Sequence, residues 1–178
     1  MRTLCLLILL ACVTQTWGCA SATYGVYDDK RMVGTVTSDK AIATDVKTTI
    51  MNQSFSEGWE ISVFCYYGKV FLVGEVPPDM HAKAEELAKK CKGVRSVKSH
   101  WFTPKTGENS DLALATRLRT NLISTSGLSS TRIDTKVNSN RVVLLGVVND
   151  AREKALAEKV ARMTEGVRQV TNYLMLPQ

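Results

Sequence analysis

The fold is decided by a stretch that occurs twice, KVFLVG at residues 69–74 and RVVLLG at residues 141–146, with the two copies 72 residues apart. The same shift brings three apolar residues of each copy into register at a spacing of four. They are Ile42, Val46 and Ile50 in the first copy and Leu114, Leu118 and Leu122 in the second. Self-similarity at a fixed period indicates a duplicated structural unit. We therefore predict two copies of one unit of roughly 65 residues, since each repeat is one supersecondary unit.

Both copies begin with a predicted helix followed by a predicted hairpin. Asp39 and Asp111 stand where a helix N-cap belongs, and the apolar spacing of four that follows them is typical of an amphipathic helix. Alternation of apolar and polar residues then predicts half-buried strands, with Ile61, Val63 and Cys65 inward in the first copy and Ile133, Thr135 and Val137 in the second. Tyr67-Gly68 and Ser139-Asn140 are predicted to form the two-residue turns that lead into the quoted apolar strands.

A second helix and a last strand complete each copy. The helix is predicted to begin at Pro77-Pro78-Asp79 in the first copy and at Asp150 in the second, where Glu153 has capping-box spacing. Gly93 and Gly166 end these helices, and the last strands are predicted over 94–102 and 167–176. The predicted fold class is α+β, with two tandem αββαβ domains of three strands covered by two helices, over 39–102 and 111–178, joined by a linker over 103–110.

The N-terminal residues are set apart from this repeat. An uncharged apolar run over 4–13 is too short to span a bilayer and is typical of a secretory signal, which we place at 1–18. Thr16-Trp17-Gly18-Cys19 then resembles a lipobox, in which Cys19 becomes the acylated first residue and 19–38 a lipidated linker. Ordinary cleavage after Ala20-Ser21-Ala22 is the alternative.

Two αββαβ units with V-x-L-x-G strands and a G-V-x-x-V segment after the second helix resemble the tandem BON-domain proteins. The segment D-x-R-x-V-G-T at 29–35 further resembles the DolP type of dual-BON outer-membrane lipoprotein. This resemblance implies a non-enzymatic protein on the periplasmic face of the outer membrane, which binds anionic phospholipid such as phosphatidylglycerol through its second domain and supports membrane integrity. The alternative is a soluble periplasmic chaperone or stress protein of the OsmY type, which has the same domains and no lipid anchor.

The basic surplus of the chain lies in the second copy, with a formal charge of +4 over 111–178 against +1 over 39–104. Such a surplus favours an anionic surface, although a solvated basic face would look the same. Besides its core stripe, the first helix of this copy carries a second line of residues at helical spacing, formed by Leu112, Thr116, Arg119 and Ile123, with Ala113 beside Leu112. We predict that these residues, together with Arg117, contact phospholipid. We expect Arg117 or Arg119 to meet phosphate, unless Leu112 and Ile123 pack against the first domain or the linker.

Catalytic and metal-binding patterns are missing from the sequence. There is no C-x-x-C pair, no H-E-x-x-H and no G-x-S-x-G, and neither His81 nor His100 has carboxylates or cysteines at ligand spacing. We therefore predict no enzyme activity, no cofactor and no metal, and we expect no nucleic acid partner, leaving other envelope proteins as further partners. Cys65 and Cys91 are predicted to face the same core, either as a disulfide or as two unpaired thiols.

Overall fold

A computed structural model describes Arg31 and the residues over 33–104 and 111–178. The predicted signal peptide, the lipobox with Cys19 and most of the predicted linkers lie outside these residues. The fold class is confirmed as α+β with two three-stranded sheets and their helices.

The first domain has six elements. They are α1 (Val33–Gln53), α2 (Phe55–Glu60), β1 (Ser62–Tyr66), β2 (Lys69–Gly74), α3 (Pro78–Lys90) and β3 (Ser96–Trp101). The order in the sheet is β1-β2-β3, with β2 antiparallel to β1 and parallel to β3. The sequence did not indicate the short helix α2.

The second domain repeats this topology. Its elements are α4 (Asp111–Ser124), a 3-10 turn (Ser130–Arg132), β4 (Ile133–Asn138), β5 (Arg141–Gly146), α5 (Ala151–Met163) and β6 (Gln169–Asn172). The sheet order is β4-β5-β6, again with one antiparallel and one parallel pair. Both last strands are shorter than predicted, although an isolated parallel bridge between Val147 and Met175 continues the second one.

The two aspartates predicted as N-caps each accept a hydrogen bond from a hairpin turn. Helix α1 begins at Val33, so Asp39 lies inside the helix and is buried, and Asp111 is the first residue of α4. The Asp39 carboxylate accepts hydrogen bonds from the backbone N–H groups of Tyr67 and Gly68, and the Asp111 carboxylate accepts one from Ser139. The N-cap prediction is therefore wrong for Asp39, because its carboxylate holds the neighbouring hairpin turn.

The predicted hairpin turns are confirmed by their backbone angles. All four turn residues have positive φ, with values of 55° and 73° at Tyr67 and Gly68 and 48° and 65° at Ser139 and Asn140. Positive φ at both central positions is the type I′ arrangement that matches the twist of antiparallel strands.

The apolar residues form three clusters rather than two. In each domain, one face of the sheet packs under the helices, around Val70 and Leu72 in β2 and around Val142 and Leu144 in β5. The opposite faces of the two sheets pack against each other in a third cluster; its buried members are Tyr66, Phe71, Val73, Phe102, Val143, Leu145 and Val147. The sheets thus form the middle of the molecule and are covered on both faces, which suits the near-continuous apolar runs of β2 and β5.

Candidate functional site

Helix α4 covers the second sheet and presents its other side to solvent. Leu114, Leu118 and Leu122 are buried in the core of the domain. Leu112 is 78% exposed and Ile123 is 60% exposed, so neither packs against the first domain. Because moving large aliphatic side chains out of water lowers the free energy, this exposed pair is a candidate contact surface.

Two small residues lie between these aliphatic side chains. Ala113 and Thr116 are both exposed, and the Thr116 hydroxyl donates to the Leu112 carbonyl at 2.9 Å. Because this bond satisfies the hydroxyl within the helix, Thr116 adds little polarity to the surface. The solvent side of α4 therefore reads as a shallow apolar strip.

Arg117 supplies the charge beside this strip. Its side chain is exposed, and its Nη1 donates to the Glu165 carbonyl at 2.8 Å. A guanidinium has five N–H donors in a planar fork, so one bond to a carbonyl leaves donors that suit a phosphate group.

Arg119 has a structural role within the second domain. Its Nη1 donates to the carbonyls of Ser130 and Ile133, at 2.9 and 3.0 Å, and the residue is half-buried. Lys47, the equivalent residue of the first domain, likewise donates to the Gly58 and Ile61 carbonyls at 2.6 Å. The structure corrects the placement of Arg119 in the exposed line, because this position holds the turn before the first strand in both domains.

The first domain offers an internal comparison for the exposed side of α4. The residues of α1 equivalent to Leu112 and Arg117 are Lys40 and Asp45, both exposed. The first of these positions thus carries a cation in α1 and an aliphatic residue in α4. The second carries an acid in α1 and a cation in α4. The combination of exposed aliphatic groups with arginine is a property of α4 and is not demanded by the fold.

One further apolar residue near α4 was missed by sequence reasoning. Met163, the last residue of α5, is 74% exposed. The following residue, Thr164, accepts a hydrogen bond from the Asn121 side chain of α4 at 3.0 Å, which places the end of α5 beside α4. The signal available in the sequence was an apolar residue outside the apolar stripe of α5.

The two cysteines are free thiols in the structure. The Cys65 thiol is buried and contacts Asp39 Oδ1 at 3.4 Å, and burial together with that carboxylate raises its pKa to about 12. The Cys91 sulfur instead contacts Thr49 Oγ1 at 3.6 Å and the Leu87 carbonyl at 3.5 Å. Of the two alternatives left open by the sequence, the structure has the unpaired thiols.

Neither histidine belongs to a cluster that could hold a metal. His81 stacks on Trp101 with ring centroids 4.7 Å apart, and His100 lies between the domains, 3.3 Å from the Tyr173 hydroxyl. The described residues contain no group of three or more His, Cys, Asp or Glu side chains at metal-binding distance. Among the helices that the structure describes, none has the length and hydropathy to cross a bilayer.

Comparison with known sequences identifies the repeated unit. The family model described as BON domain matches the chain twice, over residues 38–100 and 110–176. The chain belongs to the BON-domain family. These matches cover both of the domains described above.

Two curated relatives align with most of this chain. The chain is 28% identical over 151 residues to the 21 kDa hemolysin of Actinobacillus pleuropneumoniae, covering 80% of this chain and 76% of that protein. It is 28% identical over 163 residues to osmotically-inducible protein Y of Escherichia coli K12, covering 86% of this chain and 80% of that protein. Among solved structures, the C-terminal domain of CdsD, a structural protein of the type III secretion system of Chlamydia trachomatis, aligns with 79% of this chain and 67% of that chain at 17% identity and a TM-score of 0.33.

Proposed function

We propose that this BON-domain protein is a non-enzymatic, lipid-anchored protein of the DolP type on the periplasmic face of the outer membrane. It binds anionic phospholipid, such as phosphatidylglycerol, through its second domain and supports the integrity of that membrane. The observation that carries the proposal is the side of α4 where exposed Leu112 and Ile123 accompany Arg117.

The chemistry of this side fits a shallow contact with a bilayer. Leu112 and Ile123 enter the boundary between headgroups and acyl chains, where full burial of each is worth about 1.5–3 kcal/mol. Arg117 donates to phosphate, and the basic surplus of the second domain adds about 1 kcal/mol for each cation near an anionic surface. The contact selects anionic over zwitterionic lipid through these charges.

The proposed anchor makes such a modest contact sufficient. Cys19 and Arg31 are twelve positions apart, and Arg31 bonds to Asp39 at 2.5 Å; at full extension the segment between them reaches about 40 Å. A body of two such domains has a radius of gyration of about 15 Å, so the tether allows α4 to reach the leaflet that holds the acyl chains. Anchoring converts phospholipid binding into an intramolecular event with a high effective concentration.

A second candidate is a soluble periplasmic stress protein, which the similarity to osmotically-inducible protein Y favours. Labelling of producing cells with a clickable palmitate separates the two candidates. The lipid-anchored protein incorporates label that Cys19→Ala abolishes, whereas the soluble protein incorporates none.

Vesicle co-sedimentation tests the α4 surface directly. The Leu112→Glu/Ile123→Glu variant is compared with Thr44→Glu/Thr48→Glu, which adds the same charge to exposed positions of α1. We expect the α4 variant to bind phosphatidylglycerol vesicles at least tenfold more weakly, because it loses roughly 1.5 kcal/mol or more of apolar burial. The α1 variant should bind nearly as well as the unmodified protein. Equal weakening of both folded variants would show that charge alone, and not α4, governs binding.

A further inference from the structure

Two aromatic side chains on the short helix α2 of the first domain lie in solvent. Phe55 is 67% exposed and Trp59 is 66% exposed, and their ring centroids are 6.1 Å apart. Because residues at i and i+4 lie on the same side of a helix, the two rings form one surface, the aromatic pair. Exposed tryptophan is typical of contact sites, where it often supplies much of the binding energy.

The aromatic pair is held in a fixed position. Gly58 is buried, and a Cβ built on it would lie 2.8 Å from Met51 Cα, so α2 packs directly against the end of α1. Lys47 Nζ donates to the carbonyls of Gly58 and Trp59, at 2.6 and 3.1 Å, and lies 6.0 Å from the centroid of the Trp59 ring. A surface that is fixed before it binds loses little conformational entropy on binding.

The fold does not require these rings. The shift of 72 residues that aligns the two copies places Gly127 and Thr131 at the positions of Phe55 and Trp59. The second domain has the same sheet topology without an aromatic residue at either position. The aromatic pair is therefore a feature of the first domain that packing within the fold does not account for.

The helix that carries the aromatic pair is acidic, although the whole chain is basic. Helix α2 contains Glu57 and Glu60 and no basic residue, whereas the chain has a formal charge of +6. Glu60 is exposed and follows Trp59 directly. Lys47, the cation beside Trp59, is already bonded to backbone carbonyls. These carboxylates favour an occupant with cationic side chains over an anionic lipid.

The exposed side of α4 in a second copy of the chain has a complementary shape. Leu112 and Ile123 project near its two ends, and at a helical rise of about 1.5 Å per residue they lie ~16 Å apart along the axis. Between them lie Thr116 and Thr120, both exposed, whose hydroxyls donate to carbonyls within the helix. Two rings with centroids 6.1 Å apart fit over these small residues, between the aliphatic ends.

We propose that the aromatic pair of one copy docks on the exposed side of α4 in a second copy. Phe55 and Trp59 pack over the small residues in the middle of α4, and Arg117 of the second copy pairs with Glu60. The regulatory consequence rests on the proposed function: phospholipid and the second copy use the same side of α4, so each displaces the other.

The contact joins two different surfaces, which determines the kind of assembly. Because the two sheets pack face to face with their helices outside, α4 lies on the opposite side of the molecule from α1, against which α2 packs. The aromatic pair therefore cannot reach α4 of its own chain. Two joined copies still offer one free surface each, so the assembly grows head to tail and does not stop at a symmetric dimer.

Sedimentation velocity of the chain over 20–178 without lipid tests this contact. We expect the weight-average mass to rise between micromolar and millimolar concentration, whereas Phe55→Ser/Trp59→Ser and Leu112→Ser/Ile123→Ser each remain monomeric. An equimolar mixture of these two variants should form a dimer and nothing larger, because each variant supplies one intact surface. Val33→Ser removes another aliphatic group, which is 58% exposed, and should associate like the unmodified chain.

Three results would overturn the proposal. They are an unmodified chain that stays monomeric at millimolar concentration, association of either double variant by itself, and a mixture of the two variants that stays monomeric. The replaced side chains are mostly in solvent, and circular dichroism checks that both variants are folded.

Nitrogen-15 NMR of the same chain gives an independent readout, because its two indole groups are Trp59 and Trp101. We expect the Trp59 indole N–H signal to move with protein concentration while the Trp101 signal stays in place. Phosphatidylglycerol micelles should return the Trp59 signal to its position in dilute solution. A Trp59 signal that these micelles move in Leu112→Ser/Ile123→Ser would overturn the proposal, because it would assign the aromatic pair to lipid.

These measurements separate the two proposals. Binding of phosphatidylglycerol by α4 in a chain that never associates would refute the second-copy contact and leave the proposed function standing. Association through α4 that phosphatidylglycerol does not reverse would support the second-copy contact and count against the proposed function.

Discussion

At the scale of single residues, Asp39 joins three parts of the first domain. Its carboxylate is buried in α1 and accepts from Tyr67 N–H and Gly68 N–H at 2.8 Å and from Arg31 Nη1 at 2.5 Å. It therefore fixes the β1–β2 turn and the segment that enters α1. Asp111 performs the first of these tasks in the second domain, where it is only partly buried.

Replacing these aspartates should have unequal effects. Asp39→Asn removes the buried negative charge that pairs with the Arg31 guanidinium and accepts from two backbone N–H groups, so we expect the free energy of unfolding to fall by about 2–4 kcal/mol. Asp111→Asn should lower it by only about 1 kcal/mol, because solvent compensates a partly exposed hydrogen bond. Urea denaturation followed by circular dichroism measures both. Equal losses would show that burial of Asp39 adds nothing.

The free thiols predict a specific alkylation pattern. At pH 8 without reductant, the folded chain over 20–178 should take one iodoacetamide adduct rapidly, at half-buried Cys91, because the Cys65 thiol is buried with a pKa near 12. In denaturant, intact-mass measurement should show two adducts. A denatured chain that takes none would instead establish a disulfide.

The sequence placed both cysteines correctly on inward faces and left their pairing open. Helical and strand periods determine which face a residue occupies, but a disulfide also needs the two Cβ atoms within about 3.5–4.5 Å and suitably directed. That geometry depends on how α3 rotates and slides over the sheet. The spacing of apolar residues along the sequence carries no information about this geometry.

At the scale of elements, the glycine that closes each central strand permits a close backbone approach. A Cβ built on Gly74 would lie 2.6 Å from the Glu60 carbonyl oxygen, and one on Gly146 would overlap the Arg132 carbonyl oxygen. Gly146 also has a φ of 134°. The segment just before the first strand of each hairpin thus lies directly against the end of the central strand.

Gly146→Ala should therefore be strongly destabilising. We expect the free energy of unfolding to fall by about 3 kcal/mol, because the new methyl group meets backbone and the φ is strained. Gly34→Ala is the control: it lies in helix α1 with nothing within 4 Å of the added Cβ, and it should raise stability by about 0.5–1 kcal/mol. Thermal unfolding of the two variants gives the comparison, and a tolerated Gly146→Ala would contradict the close approach.

The start of α1 shows where element prediction failed. Residues 33–38 consist of glycine, β-branched residues and serine, which are weak helix formers, so the sequence favoured a start at Asp39. In the structure Val36 is buried in this segment, and tertiary packing overrides local propensity. The position of Arg119 was missed for a related reason, since helical spacing does not reveal which long side chains fold back onto the backbone.

At the scale of the whole molecule, the two sheets pack face to face. Phe71 and Tyr173 bring their ring centroids to 5.7 Å, and the Tyr66 hydroxyl donates to Asp134 at 2.6 Å across the boundary. The strands at 69–74 and 141–146 are apolar almost throughout, but nothing in the sequence indicated that each domain covers the other. The consequence for function is that the helices, including the exposed side of α4, remain on the outside.

This boundary should weaken on mild acidification. Burial, with a smaller effect of the Arg141 guanidinium, lowers the pKa of His100 below its usual 6.5. The unfolded chain then takes the proton first, so stability is complete above pH 6.5 and falls as the pH drops below it. Urea midpoints at pH 7.5 and 5.5 should differ more for the unmodified chain than for His100→Gln. An equal difference would exclude His100 as the cause.

The central claim, that α4 meets anionic headgroups, is tested most directly by NMR titration of the chain over 20–178 with phosphatidylglycerol micelles and, in parallel, with phosphatidylcholine micelles. We predict that backbone amide signals of Leu112, Ala113, Thr116, Arg117 and Ile123 move with phosphatidylglycerol and much less with phosphatidylcholine, while those of Lys40, Thr44 and Asp45 in α1 stay in place. Unmoved α4 signals at saturating phosphatidylglycerol, or equal movement in α1 and α4, would contradict it.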